Sequence, residues 1–250
     1  MVPAAVTSRI QGYLATLQQV SSARVAAVYG VGALALNDFS DRESNIDLVV
    51  VSDPRPEQPE LARLVGAARG LRHAGRPAQV WHVTWEDLGR DGPGFSADGA
   101  AAPAGATTVS PLATPMTRAI LRHDPMALFG PDWPVVGYDE ALYRAWAVAR
   151  LRALVAGAHG LLIFRRDVVP LVLEAARLSH AALTGRVLSK SEAGELAMPI
   201  VSTRHQRLLT DAVGYRHGAH FSMYWGPFER KYDALTLLRD LLAAATSTRP

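Results

Sequence analysis

No cysteine occurs in the 250 residues, which excludes disulfides, thiolate catalysis and thiolate zinc sites together. No apolar run reaches about 18 residues, and no charged segment precedes an apolar core at the N-terminus. Neither a membrane span nor a secretion signal is therefore expected, and the chain reads as cytoplasmic. Long runs of one charge are missing too. Lys and Arg number 26 against 23 acids, a net charge of +3, and the arginines are scattered among Ala, Leu and Val as on solvated helix faces. The pI near 9.4 thus does not point to nucleic acid, whose electrostatic footprints cluster. A nucleophile elbow and a His-Glu-x-x-His run are both absent, which leaves serine-hydrolase and zinc readings without support.

What is present is an α/β pattern followed by an α pattern. Residues 6–20 carry Ile10, Leu14 and Leu17 at helical spacing. A short β-branched run over 24–29 stops at Gly30, and 46–51 is an almost continuous apolar strand, as expected for one covered on both faces. A helix is expected over 57–73 and a third strand over 79–84. This order gives a mixed α/β domain of modest size, assigned to residues 1–128. Within it, 91–114 turns to Gly, Ala, Pro and Ser and reads as a flexible loop, before structure resumes over 116–122. From 129 to 250 the sequence is almost wholly helical, with segments expected over 139–162, 168–183, 191–198, 203–215 and 228–244, a helical bundle.

Several polar residues stand out. Ser189 and Glu192 have capping-box spacing, so a helix starts there, and Thr184-Gly185 ends the preceding one. Lys190 then lies in a first turn, where the helix dipole is already positive. It is at home there if an anion gathers at that end, and otherwise it is a solvated lysine. On the strand over 79–84, alternation places Trp81 with Gln79 and His82 with Val80. His82 is expected to be structural, while Trp81 suits a pocket floor or the core equally. His217, His220, Tyr224, Trp225 and Phe228 form an aromatic-rich group for which interhelical packing is expected.

The most informative stretch is Gly32-Ala33-Leu34-Ala35-Leu36-Asn37-Asp38-Phe39 followed by Ser44-Asn45-Ile46-Asp47-Leu48-Val49-Val50-Val51. Together with Ala127-Leu128-Phe129-Gly130-Pro131, Arg177-Leu178 and Leu183-Thr184-Gly185-Arg186-Val187-Leu188-Ser189-Lys190, it resembles the aminoglycoside adenylyltransferases of the streptomycin/spectinomycin type, in the nucleotidyltransferase superfamily. The resemblance runs over nearly the whole chain. It implies an N-terminal nucleotidyltransferase-type mixed sheet with helices and a C-terminal helical, substrate-binding-type domain, with ATP and acceptor in the cleft between them. The family pattern is a strand ending in Gly-Ser, a short helix, and a strand opening with Ser-Asp-x-Asp, with a third acid on a later strand. Those acids hold two magnesium ions that clamp the attacking and leaving oxygens.

By that resemblance the site is degenerate. Ala33 stands at the serine beside Gly32, Asn45 at the first aspartate, and Gln79 at the third acid, while Asn37 replaces the second glycine of the turn. Asp47 matches the second metal-binding aspartate, Lys190 the lysine that contacts ATP phosphates, and Arg177 the arginine of the family's helix. His180, one turn beyond Arg177, sits on a helix whose counterpart lines the substrate cleft. An amide oxygen has no formal charge and takes no proton at neutral pH. The expectation is a protein that has lost its metal site and the nucleotidyl transfer it served. It would bind a small metabolite in the interdomain cleft, as a pseudoenzyme or a repurposed metal-independent enzyme of specialised metabolism. No metal, cofactor, nucleic acid or membrane is expected. The alternative is an active adenylyltransferase that uses ATP and magnesium on a hydroxyl of an aminoglycoside-like acceptor. A third possibility is a scaffold with the fold alone.

Overall fold

A computed structural model describes residues 2–20, 25–41, 43–89, 112–158 and 164–247. It divides into two compact units, Met1–Asp139 and Glu140–Pro250. The first contains α1 (Ala4–Val20), β1 (Val25–Gly30), β2 (Asp47–Ser52), α2 (Gln58–Arg69), β3 (Arg72–His73), β4 (Arg76–Pro77), β5 (Gln79–Thr84), α3 (Trp85–Gly89), α4 (Pro115–His123) and β6 (Met126–Phe129). Four strands form one sheet in the order β5-β2-β1-β6. β1 runs antiparallel to β2 and β6, and β2 runs parallel to β5.

The apolar run of β2 follows from its place between two strands, where both of its faces are covered. On one face, Val28, Leu48 and Val50 pack with Ile46 against Val6, Ile10, Tyr13 and Leu17 of α1 and Leu64 of α2. The other face carries Tyr29, Val49 and Trp81, which the strand registers place side by side. The Tyr29 hydroxyl there donates to the Pro131 carbonyl at 2.8 Å.

In the first unit, three boundaries differ from those read in the sequence; in the second, the helix read over 139–162 ends at Gly157. The helix expected over 57–73 ends at Arg69, and its last residues turn instead into the β3–β4 hairpin. Ala74 and Gly75 both have positive φ (48° and 79°), which a tight hairpin turn requires at its two central positions. Alanine at such a position disguises the turn, because the usual signal is Asn-Gly or Asp-Gly. The four-residue β6 was too short to register, and a division at 128/129 would cut through it. Its pairing with β1 keeps it in the first unit, so the break falls after Asp139. The expected loop over 91–114 lies outside the described residues as far as 111. Leu112 and Ala113 are buried, and Thr114 caps α4 by accepting from Thr117 N at 3.2 Å.

The second unit contains α5 (Glu140–Gly157), α6 (Arg165–Thr184), α7 (Lys190–Ala197), a 3-10 turn (Met198–Ile200), α8 (Thr203–Arg216) and α9 (Pro227–Ser247). α6 is its centre and packs on all four of the other helices. Val168, Val172, Leu173, Ala176 and Leu178 are buried along it. Gly185 caps α6 in the left-handed region, and Ser189 with Glu192 forms the capping box that starts α7. The aromatic group near the C-terminus does not pack as one. Tyr224 is buried and donates to Asp233 at 2.8 Å, whereas Trp225 is 103% exposed and Phe228 also lies in solvent. Among the described residues, no helix is long and apolar enough to cross a membrane.

His82 takes its expected place on the helix-covered face, in register with Val50. Both ring nitrogens are buried with no hydrogen-bond partner among the described residues. Burial lowers its pKa from 6.5 to about 4, so the folded chain refuses a proton that the unfolded chain accepts. His82 therefore costs no stability above pH 6.5 and progressively more as the pH falls towards 4. At about 1.4 kcal/mol per unit the cost reaches roughly 1–3 kcal/mol. Denaturant unfolding at pH 7.5 and 4.5 checks this: His82→Leu should shrink the stability difference between the two by that amount, and an unchanged difference would remove His82 from the account.

Candidate functional site

The first cluster forms where β1 and β2 are joined. After Gly30 the chain turns through Gly32–Asn37, held by Leu36 N to Gly32 O at 3.1 Å and Asp38 N to Ala33 O at 3.0 Å. Val31 N donates to the Asp47 carbonyl at 3.0 Å, which ties the turn to the start of β2. Gly32 has φ +60°, and a Cβ there would lie 2.9 Å from Asp47 Oδ2. Glycine is thus required twice, for the backbone angle and for room to seat the carboxylate. Asn37 has φ 50°. Asparagine tolerates the left-handed region better than most residues, so it can stand at a turn position where glycine is usual.

Alternation then sorts the side chains. Ile46 and Leu48 point into the helix-covered core, which sends Asn45 and Asp47 to the opposite face. Gln79 N donates to the Ile46 carbonyl at 2.9 Å, and the parallel register pairs Asp47 with Gln79. Asn45, Asp47 and Gln79 therefore share one face at the entrance of β2 and β5, beside the Gly32-Ala33 turn. Trp81 lies on that face but is only 3% exposed. The Arg118 guanidinium sits 6.0 Å from its ring and is itself held by the carbonyls of Asp87 and Leu88, each at 2.7 Å. Of its two roles, Trp81 has the core one.

A pair of magnesium ions needs several anionic oxygens. One carboxylate and two amides do not fit that requirement. Among the described residues, no group of three or more His, Cys, Asp or Glu is placed to hold a metal ion.

The second cluster lies in the helical unit. Glu174, Arg177 and His180 follow one another at three-residue spacing along α6. Arg177 Nη2 donates to Glu174 Oε2 at 2.5 Å, and Lys190 Nζ lies 3.5 Å from the same oxygen. The anion that suits the first turn of α7 is thus supplied by the chain itself. Burial pushes the Glu174 carboxyl up, but Arg177 and Lys190 outweigh it and hold the group at about 2. Lys190 is lowered, mainly by burial and further by Arg177 and Arg216, with Glu174 opposing. His180 is also lowered, by burial and by Arg186 against Glu192, so it is largely neutral at pH 7. Glu174 and Arg216 went unremarked in the sequence. The Glu174-x-x-Arg177 spacing was the available signal for the first, whereas nothing local marks Arg216.

No family model matches this sequence, and no curated protein matches it either. Among solved structures the chain is similar to the spectinomycin adenyltransferase AAD(9) from Enterococcus faecialis, determined with ATP and spectinomycin. The TM-score is 0.63 over 94% of this chain and 98% of that one, at 12% identity. The fold is that of a nucleotidyltransferase. At such identity the likeness is one of fold, an α/β unit followed by helices, as the resemblance in the sequence implied.

Gly32→Ala tests the first cluster. The added methyl group would strain the turn and press on the Asp47 carboxylate, costing about 1–3 kcal/mol. Ala33→Gly, one residue along, should cost well under half as much. Equal losses in the two melting curves would mean that the turn does not seat Asp47.

Proposed function

We propose that this chain keeps a nucleotidyltransferase fold but has given up the two-metal mechanism. It binds a small polar or aromatic metabolite, a nucleotide among the candidates, as a pseudoenzyme or as a metal-independent enzyme of specialised metabolism. The observation that carries this reading is that Asp47 has Gln79 beside it in register, with Asn45 two residues before it on the same chain. Loss of a general base alone typically costs about 10²–10⁴ in rate, and loss of most of the metal's counter-charge adds to that. A face with a single acid also suits a ligand that arrives without magnesium, since fewer carboxylates there call for a cation.

Within this reading Asp47 is the one acid left to orient or deprotonate a ligand, with the Gly32-Ala33 turn beside it. Asn45 and Gln79 can each donate and accept hydrogen bonds, as two aspartates could not. Arg177 and Lys190 offer charge-assisted bonds to an anionic group, and neutral His180 can donate from one nitrogen and accept at the other.

A second reading has its own support. Asp47 is retained, Arg177 and Lys190 meet at Glu174, and the structural neighbour was solved with ATP and spectinomycin. On that reading the chain adenylylates a hydroxyl of an aminoglycoside-like acceptor with ATP and magnesium.

Calorimetric titration with ATP, with and without magnesium, separates the readings. Ours expects binding that is as tight in a metal chelator as with magnesium. Lys190→Ala should weaken it about 5- to 150-fold, the equivalent of a charge-assisted contact of about 1–3 kcal/mol. Melting should hardly move, because Arg177 still pairs with Glu174. Binding that strictly requires magnesium would establish the second reading, and no binding at all would leave a scaffold with the fold alone.

A further inference from the structure

A cleft of about 320 Å³ opens on the helix-covered side of the first unit, where α1 passes the end of α2. Arg9, Gly12 and Tyr13 line it from α1, and Gly70, Leu71 and Arg72 line it where the chain leaves α2 for β3. Its size is at the lower end of the range of about 300–1,000 Å³ found for small-molecule sites. Asp47 and Gln79 lie on the opposite face of the sheet, so the cleft is separate from the function proposed above.

The cleft is basic. Arg9 Nη1 donates to the Arg72 carbonyl at 3.1 Å and lies 3.2 Å from His73 Nδ1. One nitrogen thus anchors the guanidinium, while Nε and Nη2 make no hydrogen bond among the described residues. Arg72 Nη2 donates to the Gly75 carbonyl at 2.6 Å. Neither arginine has a carboxylate partner among the described residues. Asp41 faces the other ring nitrogen of His73, at 3.4 Å.

The cleft is also held open. Glycine weakens a helix interior relative to alanine, yet a Cβ on Gly12 would meet nothing within 4 Å. On the facing wall Gly70 has φ −73°, and a Cβ there would touch the Ala67 carbonyl at 3.6 Å, an ordinary contact. Neither backbone angle nor packing calls for glycine at these two places, and what both provide is room. Tyr13 is 4% exposed, and its hydroxyl is buried with no partner among the described residues. Burial raises its pKa above the ordinary phenol value, so it is a donor without an acceptor.

We infer that this cleft is a second ligand site, which takes a small carboxylic acid with an apolar or aromatic body. The open edge of Arg9, Nε and Nη2, matches the two oxygens of a carboxylate side by side, and Arg72 adds charge. The ligand's body lies between Gly12 and Gly70, against Leu71 and the Tyr13 ring. The Tyr13 hydroxyl gains an acceptor when its ring tips towards a ligand oxygen. A neutral ligand leaves the arginines unpaired, and a bare anion such as phosphate leaves the apolar walls uncovered.

Benzoate is the probe, with benzamide as its neutral counterpart and inorganic phosphate as the anion without a body, titrated by NMR at low salt. Wild type should bind benzoate at least about tenfold more tightly than either. Arg9→Gln should remove most of the preference for benzoate over benzamide. Gly12→Leu fills the cleft from α1 and should lower benzoate affinity at least about tenfold, with melting no lower than that of wild type. Tyr13→Phe should also melt no lower and yet bind benzoate more weakly, and an unchanged affinity would overturn the hydroxyl's part. No benzoate binding by wild type, equal binding of benzoate and benzamide, or undiminished binding by Gly12→Leu would each overturn the site. Phosphate bound as tightly as benzoate would overturn the ligand class.

Discussion

The hydrogen-bond register between β2 and β5 is the constraint on which the first unit's polar face depends. Ile46, Leu48 and Val50 are locked into the core against α1 and α2. A shift by one residue would turn the Asp47 carboxylate into the apolar core against α1 and α2, so the register has no nearby competitor. Once it is set, parallel pairing leaves Gln79 no place but beside Asp47, and alternation carries Asn45 to the same side. The core of this unit thus decides which polar side chains meet. Gly32 completes the arrangement, because only a residue without Cβ lets the turn close over the Asp47 carboxylate.

In the helical unit the corresponding constraint is charge. α6 is buried on most of its surface, and the polar positions 174, 177 and 180 make a stripe towards the start of α7. Lysine at the first position of a helix opposes the dipole, and the penalty is offset by Glu174 rather than by solvent. That pairing brings Lys190 beside Arg177 in a place that solvent can reach. The two clusters therefore make different offers: hydrogen bonding around a single acid in the first unit, and positive charge in the second.

Much of this was legible in the sequence, for physical reasons. Periodicity placed α6 to α9 to within three residues, with caps read only between α6 and α7, whereas α5 ends at Gly157 and not at 162; the span of β5 coincides with the expected one. The fold followed from the resemblance carried by the stretch from Gly32 to Val51 and by the segment leading to Lys190. What escaped had weak local signals. The Ala74-Gly75 hairpin lacks the usual turn residues, and β6 is too short for alternation to be seen. Glu174 and Arg216 become neighbours of Lys190 only when three helices pack. Trp81 sat on the expected face, but the sequence could not show that Arg118, from a helix far along the chain, covers it.

The central claim is that this fold has lost a metal site by exchanging acids for amides while keeping their positions. The most direct measurement is manganese affinity, read by electron paramagnetic resonance, in wild type and in a variant combining Ala33→Ser, Asn45→Asp and Gln79→Glu. The account predicts no saturable binding by wild type and clear binding by the variant, whose two added carboxylates join that of Asp47 to make three. Transfer activity need not return with the metal. Equal affinity in the two proteins would contradict the account: strong binding by both would mean that the site was never lost, and weak binding by both that these positions never formed one.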